Sequence, residues 1–200
     1  MINLVVFASG SGTNFQAIID AVENGEINGR IRGLITNKDG IQSIERAQNH
    51  GIPHVTIAPS DFNDRTNYTQ ILLQQLDDWD TNLIALAGYM LKIPAAVIQK
   101  YEGQIVNIHP SLLPKYGGKG FYGMNVHRAV IEKGESESGC TVHLVSEEYD
   151  EGPILAQRKV PVYKVDDASS LAERVLKEEH NLFPKVIAEL ADQINNKSFN

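Results

Sequence analysis

Five short apolar runs, separated by stretches with helical spacing, fill the first half of this chain and leave few folds open to it. The runs are Leu4–Ala8, Ile31–Thr36, Pro53–Ile57, Leu83–Ala87 and Ile105–Ile108. Between them lie helical patterns at Asn14–Glu23, Gln42–Asn49, Asp64–Asp77 and Pro94–Lys100. Such alternation is the mark of a parallel sheet covered by helices. After His109 the pattern changes. A loop rich in Gly and Pro (Pro110–Gly123) leads to a helix around Asn125–Glu132. Two further strands follow, Cys140–Val145 and Ile154–Val162, separated by the turn Glu147–Pro153. The expected fold is α/β: an open, mostly parallel Rossmann-like sheet of about seven strands. Helices cover both faces, and the C-terminal part carries antiparallel strands.

Local signals refine this outline. Asp61 is the expected cap of the third helix, whose apolar Tyr68, Ile71, Leu72 and Leu76 recur at helical spacing. The last helix is expected to open with a capping box, Ser170-Leu171-Ala172-Glu173, and to run toward Leu190 with Pro184 as a kink. No repeat or Ser/Gly linker interrupts the chain, so residues 1–190 read as one domain and 191–200 as a polar tail, frayed at Asn195–Asn200.

Composition narrows the function classes. A net charge of −7 disfavours a nucleic-acid-binding face, because phosphate backbones require clustered Lys and Arg. It does not exclude a small anionic ligand held by backbone N–H groups. Cys140 is the only cysteine, so no intrachain disulfide is possible and a reducing compartment is expected. The apolar opening Leu4–Ala8 lacks a basic leader and is too short for a membrane span. The expectation is a cytoplasmic protein without membrane contact.

Four motifs carry chemistry. In Asn107-Ile108-His109-Pro110, the amide and the imidazole sit at i and i+2 of a strand, so both point to one side. Pro110 stops further pairing. An amide donor beside a titratable ring suits a reaction in which a carbonyl becomes an oxyanion and a proton moves. The bland alternative is a strand-end histidine packed on protein groups. Ser9-Gly10-Ser11-Gly12-Thr13-Asn14 follows the first strand and opens a helix, which suits anion binding at the helix N-terminus. It lacks the third glycine of the dinucleotide fingerprint and the Gly-Lys-Ser/Thr of a P-loop. A plain strand-to-helix turn is the alternative.

The acidic turn Glu147-Glu148-Tyr149-Asp150-Glu151-Gly152-Pro153 reads as either a solvated loop or a rigid turn aiming Asp150 inward. A carboxylate near His109 would favour the imidazolium, raise its pKa and hold the ring cationic. Leu86–Pro94 ends the fourth strand, where open α/β sheets bind ligands; Met90 and Ile93 are candidate cleft residues there. The other histidines read as structural: His50 and His54 at a turn, His143 as a satisfied imidazole in an apolar strand, His127 and His180 in helices. None has metal-ligand spacing, so no metal is expected.

Together these motifs resemble the folate-dependent formyltransferases. The residues carrying the resemblance are Ser9–Asn14, Leu86-Ala-Gly-Tyr-Met90, Asn107-Ile-His-Pro-Ser-Leu-Leu-Pro-Lys-Tyr116 and Asp150-Glu-Gly-Pro153, and it extends from residue 2 to about 190. It implies transfer of a formyl group from 10-formyltetrahydrofolate, a co-substrate, to an amine, with phosphoribosylglycinamide as the implied acceptor. By the same resemblance, Asn107, His109 and Asp150 match a catalytic trio. Gly12, Thr13, Asn14 and Glu179 would contact the phosphoribosyl substrate. Arg65, Met90, Leu91, Lys92, Ile93 and Asn107 would meet the folate, with Ser146, Glu147, Glu148, Tyr149 and Asp150. No nucleic acid or membrane partner is implied, and the oligomeric state is left at monomer or homodimer. Gly117–Met124 appears as an insertion relative to the common pattern, either closing over the site or tolerated on the surface. Three rival readings stay open: hydrolysis of the formylfolate, formylation of methionyl-tRNA, and a non-catalytic folate or nucleotide-binding module. The chain length is expected to disfavour both the hydrolase and the tRNA enzyme, and the acidity further disfavours the latter.

Overall fold

A computed structural model describes residues 1–197. The strands are β1 (Ile2–Ala8), β2 (Gly29–Thr36), β3 (His54–Thr56), β4 (Leu83–Leu86), β5 (Ile105–His109), β6 (Glu137–Leu144) and β7 (Ile154–Pro161). They form one sheet of seven strands in the order β3-β2-β1-β4-β5-β6-β7. The pairs from β3 to β5 are parallel. β6 and β7 join antiparallel. The expected mixed α/β sheet is therefore the observed one.

Alternation along β1 explains how one strand feeds two cores. Ile2, Leu4, Val6 and Ala8 face a layer built from α1 (Thr13–Glu23), α2 (Gln42–Asn49), α5 (Met124–Glu132) and α6 (Ala168–Lys197). Val5 and Phe7 face the opposite layer, made by α3 (Arg65–Asp78) and α4 (Ala95–Lys100). Successive side chains on a strand point to opposite faces, so a continuous apolar run is what a two-sided sheet requires. The edges differ. β3 is only three residues long, and β7 is mostly exposed and carries Arg158 and Lys159, features that discourage further strand pairing.

Three local expectations need correction. The cap of α3 is Asp64, whose carboxylate accepts from Asn67 N at 2.8 Å. Asp61 instead closes a short 3-10 turn and accepts from Ala58 N. The cap of α6 is Asp167, bonded to Ser170 N at 2.8 Å while Ser170 Oγ accepts from Asp167 N. Ser170 is thus the reciprocal partner three residues in, not the cap. Residues 191–197 are helix rather than tail: Ala191 is fully buried, and Asn195 donates to Asn28 O at 3.1 Å. α6 also continues through Pro184. The rest of the expected tail, residues 198–200, lies outside the described residues. No helix among them is long and apolar enough to cross a membrane.

Candidate active site

The chain winds from β1 outward to β3 and returns to β4 on the other side, so the strand order reverses between β1 and β4. Loops diverge there at the carboxyl ends of the strands and leave a crevice. Ser9, at the end of β1, ties three of these loops together. Its N–H donates to Gly88 O at 3.2 Å. Its hydroxyl accepts from Met90 N at 3.0 Å and donates to Asn37 Oδ1 at 2.6 Å.

One strand further on, β5 delivers Asn107 and His109. Antiparallel pairing places Asn107 opposite His143 of β6, and Asn107 Nδ2 donates to His143 Nε2 at 3.0 Å. His143 Nδ1 in turn donates to Leu144 O at 2.9 Å. His109 Nε2 donates to Tyr116 O at 2.8 Å, which turns its Nδ1 toward Asp150. Asp150 Oδ1 lies 3.6 Å from both His109 Nδ1 and His143 Nε2. Its Oδ2 accepts from Gly118 N at 2.9 Å. The turn carrying Asp150 therefore does aim a carboxylate inward, with φ of 58° at that residue.

The electrostatics differ from the sequence expectation at one point. Burial lowers the His109 pKa and outweighs the opposing pull of Asp150, so the resting ring is neutral rather than held cationic. Burial pushes Asp150 up, but His143, His109 and the Gly118 N–H together win and its pKa is lowered. A neutral ring facing an ionised carboxylate across 3.6 Å is poised to take up a proton at Nδ1.

A cleft of about 280 Å³ opens over this group. Met90, Leu91, Lys92 and Ile93 line one side, and Ser146, Glu148 and Tyr149 line another. Lys92 Nζ sits 5.3 Å from the centre of the Tyr149 ring. Residues Gly118–Gly123 line the remainder, so this loop belongs to the site wall. Two expected folate residues do not join this lining. Arg65 is exposed at the start of α3, and Glu147 is exposed and accepts from Gln99 Nε2.

The glycine loop forms a separate feature two strands from β5, about 10 Å away by inter-strand spacing. Gly12 is the N-cap of α1 at φ of 69° and gives no side-chain cap. A Cβ there would lie 2.7 Å from Ser43 Cβ. Asn14 Nδ2 donates to Glu179 Oε2 at 2.7 Å. Glu179 is buried, not an exposed helix acid, and burial raises its pKa against the Asn14 hydrogen bond. Thr13 faces a larger open groove of about 800 Å³ between α1 and α6, which contains none of Asn107, His109 or Asp150.

Sequence reasoning missed His143 as a site residue. Its apolar strand pointed to a structural imidazole, and only the β5–β6 register reveals it beside Asn107. His127 was also read as structural. It is buried near His109, and burial followed by that neighbour lowers its pKa to about 4. His50 bonds Glu23 Oε1 at 2.7 Å, as a surface residue would. Cys140 is buried and unpaired, its thiol pushed up to about 12 by burial. No cluster of three or more His, Cys, Asp or Glu among the described residues is arranged to hold a metal.

The crevice at the strand-order reversal is thus walled by a partly apolar cleft and floored by an amide, two imidazoles and a carboxylate. The profile of the formyl transferase family matches residues 2–187, and the chain belongs to that family. Within it, the chain is 40% identical to phosphoribosylglycinamide formyltransferase of Escherichia coli (strain K12), over 95% of this chain and 87% of that one. It is 44% identical to the chloroplastic enzyme of that name from Vigna unguiculata, spanning 95% of this chain but only 61% of the relative. The crystal structure of glycinamide ribonucleotide transformylase 1 from Geobacillus kaustophilus superposes with a TM-score of 0.89 at 41% identity, covering 96% of this chain and 99% of that one.

Proposed function

We propose that the chain transfers the formyl group of 10-formyltetrahydrofolate to the glycinamide amine of phosphoribosylglycinamide, a step of de novo purine synthesis. The observation that carries the reading is the convergence of Asn107, His109, His143 and Asp150 at the floor of one cleft. Its volume of about 280 Å³ lies just below the usual range for drug-sized ligands. It suits the reactive, ring-bearing end of a folate, with the remainder directed outward past Met90 and Lys92. The open N-terminus of α1 at Gly12-Thr13-Asn14 supplies N–H donors for the substrate phosphate, and Glu179 lies beside it for the ribosyl part. A single buried thiol fits a cytoplasmic setting.

In the reaction, the neutral amine attacks the formyl carbon and the carbonyl electrons move to oxygen. One Asn107 N–H is committed to His143, which leaves the second to bind the oxyanion. His109 takes up the proton that the new ammonium must lose, and Asp150 stabilises the imidazolium so formed. That proton then goes to N10 of the folate as the C–N10 bond breaks, giving the N-formyl product and tetrahydrofolate. This differs from a mechanism in which His109 begins as a cation, because burial keeps the resting ring neutral. Holding both reactants in one crevice supplies much of the acceleration.

The test is acceptor dependence. Purified protein should consume 10-formyltetrahydrofolate only when phosphoribosylglycinamide is present. Consumption at the same rate without the amine would replace this reading with hydrolysis.

A further inference from the structure

We propose that the backbone of Tyr116-Gly117-Gly118 is a positioning clamp for the His109–Asp150 pair, and that the cleft-lining loop carries this clamp. The proposal rests on the catalytic reading of those two residues given above. Its geometric basis is that one short segment touches both partners from outside. The Tyr116 carbonyl accepts from His109 Nε2 at 2.8 Å, and the Gly118 N–H donates to Asp150 Oδ2 at 2.9 Å. The first contact fixes the tautomer, placing the ring's proton on Nε2 and leaving Nδ1 to face the carboxylate. The second occupies Oδ2 and so presents Oδ1 to the two imidazoles at 3.6 Å.

The segment is built for this position alone. Tyr116 adopts φ of 55° and Gly118 φ of 86°, both left-handed, a conformation that costs most side chains energy. A Cβ on Gly117 would lie 2.5 Å from Leu113 Cδ2 and 3.3 Å from Asp150 Cβ, so a side chain here would displace Leu113 and crowd Asp150. Tyr116 is anchored in turn. Its hydroxyl donates to Glu135 Oε1 at 3.0 Å, and its ring meets Phe121 edge-on at 5.8 Å between centroids. Phe121 belongs to the run Gly118–Gly123 that walls the cleft. A ligand that presses on this wall therefore also presses on the donor that holds Asp150, which makes cleft occupancy and alignment of the pair a single structural event.

The titratable groups facing the pair are His143 from β6, which sits against Asp150, and His127 from α5, which sits near His109. A loosened clamp changes the Asp150 contact while leaving both of these in place. Asp150 raises the His109 pKa against burial, so withdrawing the carboxylate must move the His109 titration to lower pH.

The experiment follows the His109 ring by NMR in ¹⁵N-histidine-labelled protein, alongside the pH profile of kcat. In Gly118→Ala, the His109 titration should move to lower pH and kcat should fall roughly ten- to a hundredfold, since small misplacements at a reacting centre are costly. KM for the amine substrate should change far less. Gly103→Ala serves as the control, because Gly103 has a similar φ of 72° with open space around it, remote from the site. It should leave both the titration and kcat as they are. Equal shifts in both variants, or an unmoved His109 titration in Gly118→Ala, would overturn the clamp. Should Gly118→Ala fail to fold, the unaltered protein still decides. Its Gly118 amide proton must track ionisation of Asp150, and an amide shift flat across that titration contradicts the hydrogen bond's role. Neither NMR readout requires turnover, so a failed formyl-transfer reading would not be mistaken for a failed clamp.

Discussion

Asn107 is where this molecule's chemistry is most exposed to test. It divides its two N–H groups between His143, which fixes the amide's orientation, and the cleft. Removing one oxyanion donor typically costs on the order of 10² to 10³ in turnover. Asn107→Ala should therefore lose that much in kcat while circular dichroism stays near that of the parent; undiminished kcat would remove the residue from the mechanism. His127 offers a different test, because it is buried and its Nδ1 has no hydrogen-bond partner among the described residues. Its pKa falls from the usual histidine value to about 4 through burial. Between pH 6.5 and about 4 the unfolded chain binds this proton and the folded chain does not, so stability must fall as pH drops through that window. His127→Gln should flatten the dependence of Tm on pH there, and an unchanged slope would assign the acid sensitivity to other groups. At this scale the sequence was legible where two residues lie on one strand, as with Asn107 and His109. It was not legible where a partner arrives from another strand. Nothing local to His143 distinguishes it from a core histidine, and the balance between burial and Asp150 at His109 depends on packing.

Among the elements, the strand-to-helix turn at Gly12 is where backbone geometry tests the proposed phosphate binding. Its left-handed φ of 69° and the nearby Ser43 Cβ leave no room for a side chain. Gly12→Ala should raise KM for the phosphorylated amine substrate severalfold while KM for the folate moves little. Equal effects on both would show that the loop does not discriminate between them. Strand cores were readable because an apolar run has one outcome in a two-sided sheet. Their ends were less so. β6 begins at Glu137 rather than Cys140 because pairing with β7 extends it through polar residues. The α3 cap was misplaced by three residues, from Asp64 to Asp61, since both acids precede the same helical pattern and only one carboxylate reaches Asn67 N. The Gly117–Met124 loop left two outcomes open in sequence. Its contact with Asp150 settles that it lies against the site, through a backbone N–H that no residue-type pattern reveals.

For the molecule as a whole, the reversal of strand order sets the layout. β1 contributes the glycine loop, β4 the apolar wall, and β5 with its antiparallel neighbour β6 the polar floor. α6 closes the arrangement by running along the α1 layer and bringing Glu179 to Asn14 across 165 residues of chain. That long-range contact explains why a helix acid with no distinguishing sequence context is buried beside the glycine loop. The most direct test of the central claim uses 10-formyltetrahydrofolate carrying ¹³C in the formyl group, with phosphoribosylglycinamide and stoichiometric protein, read by NMR. The account predicts that the label moves from folate N10 to the glycinamide nitrogen with no free formate formed. Label released as formate, with the amine unmodified, would contradict it.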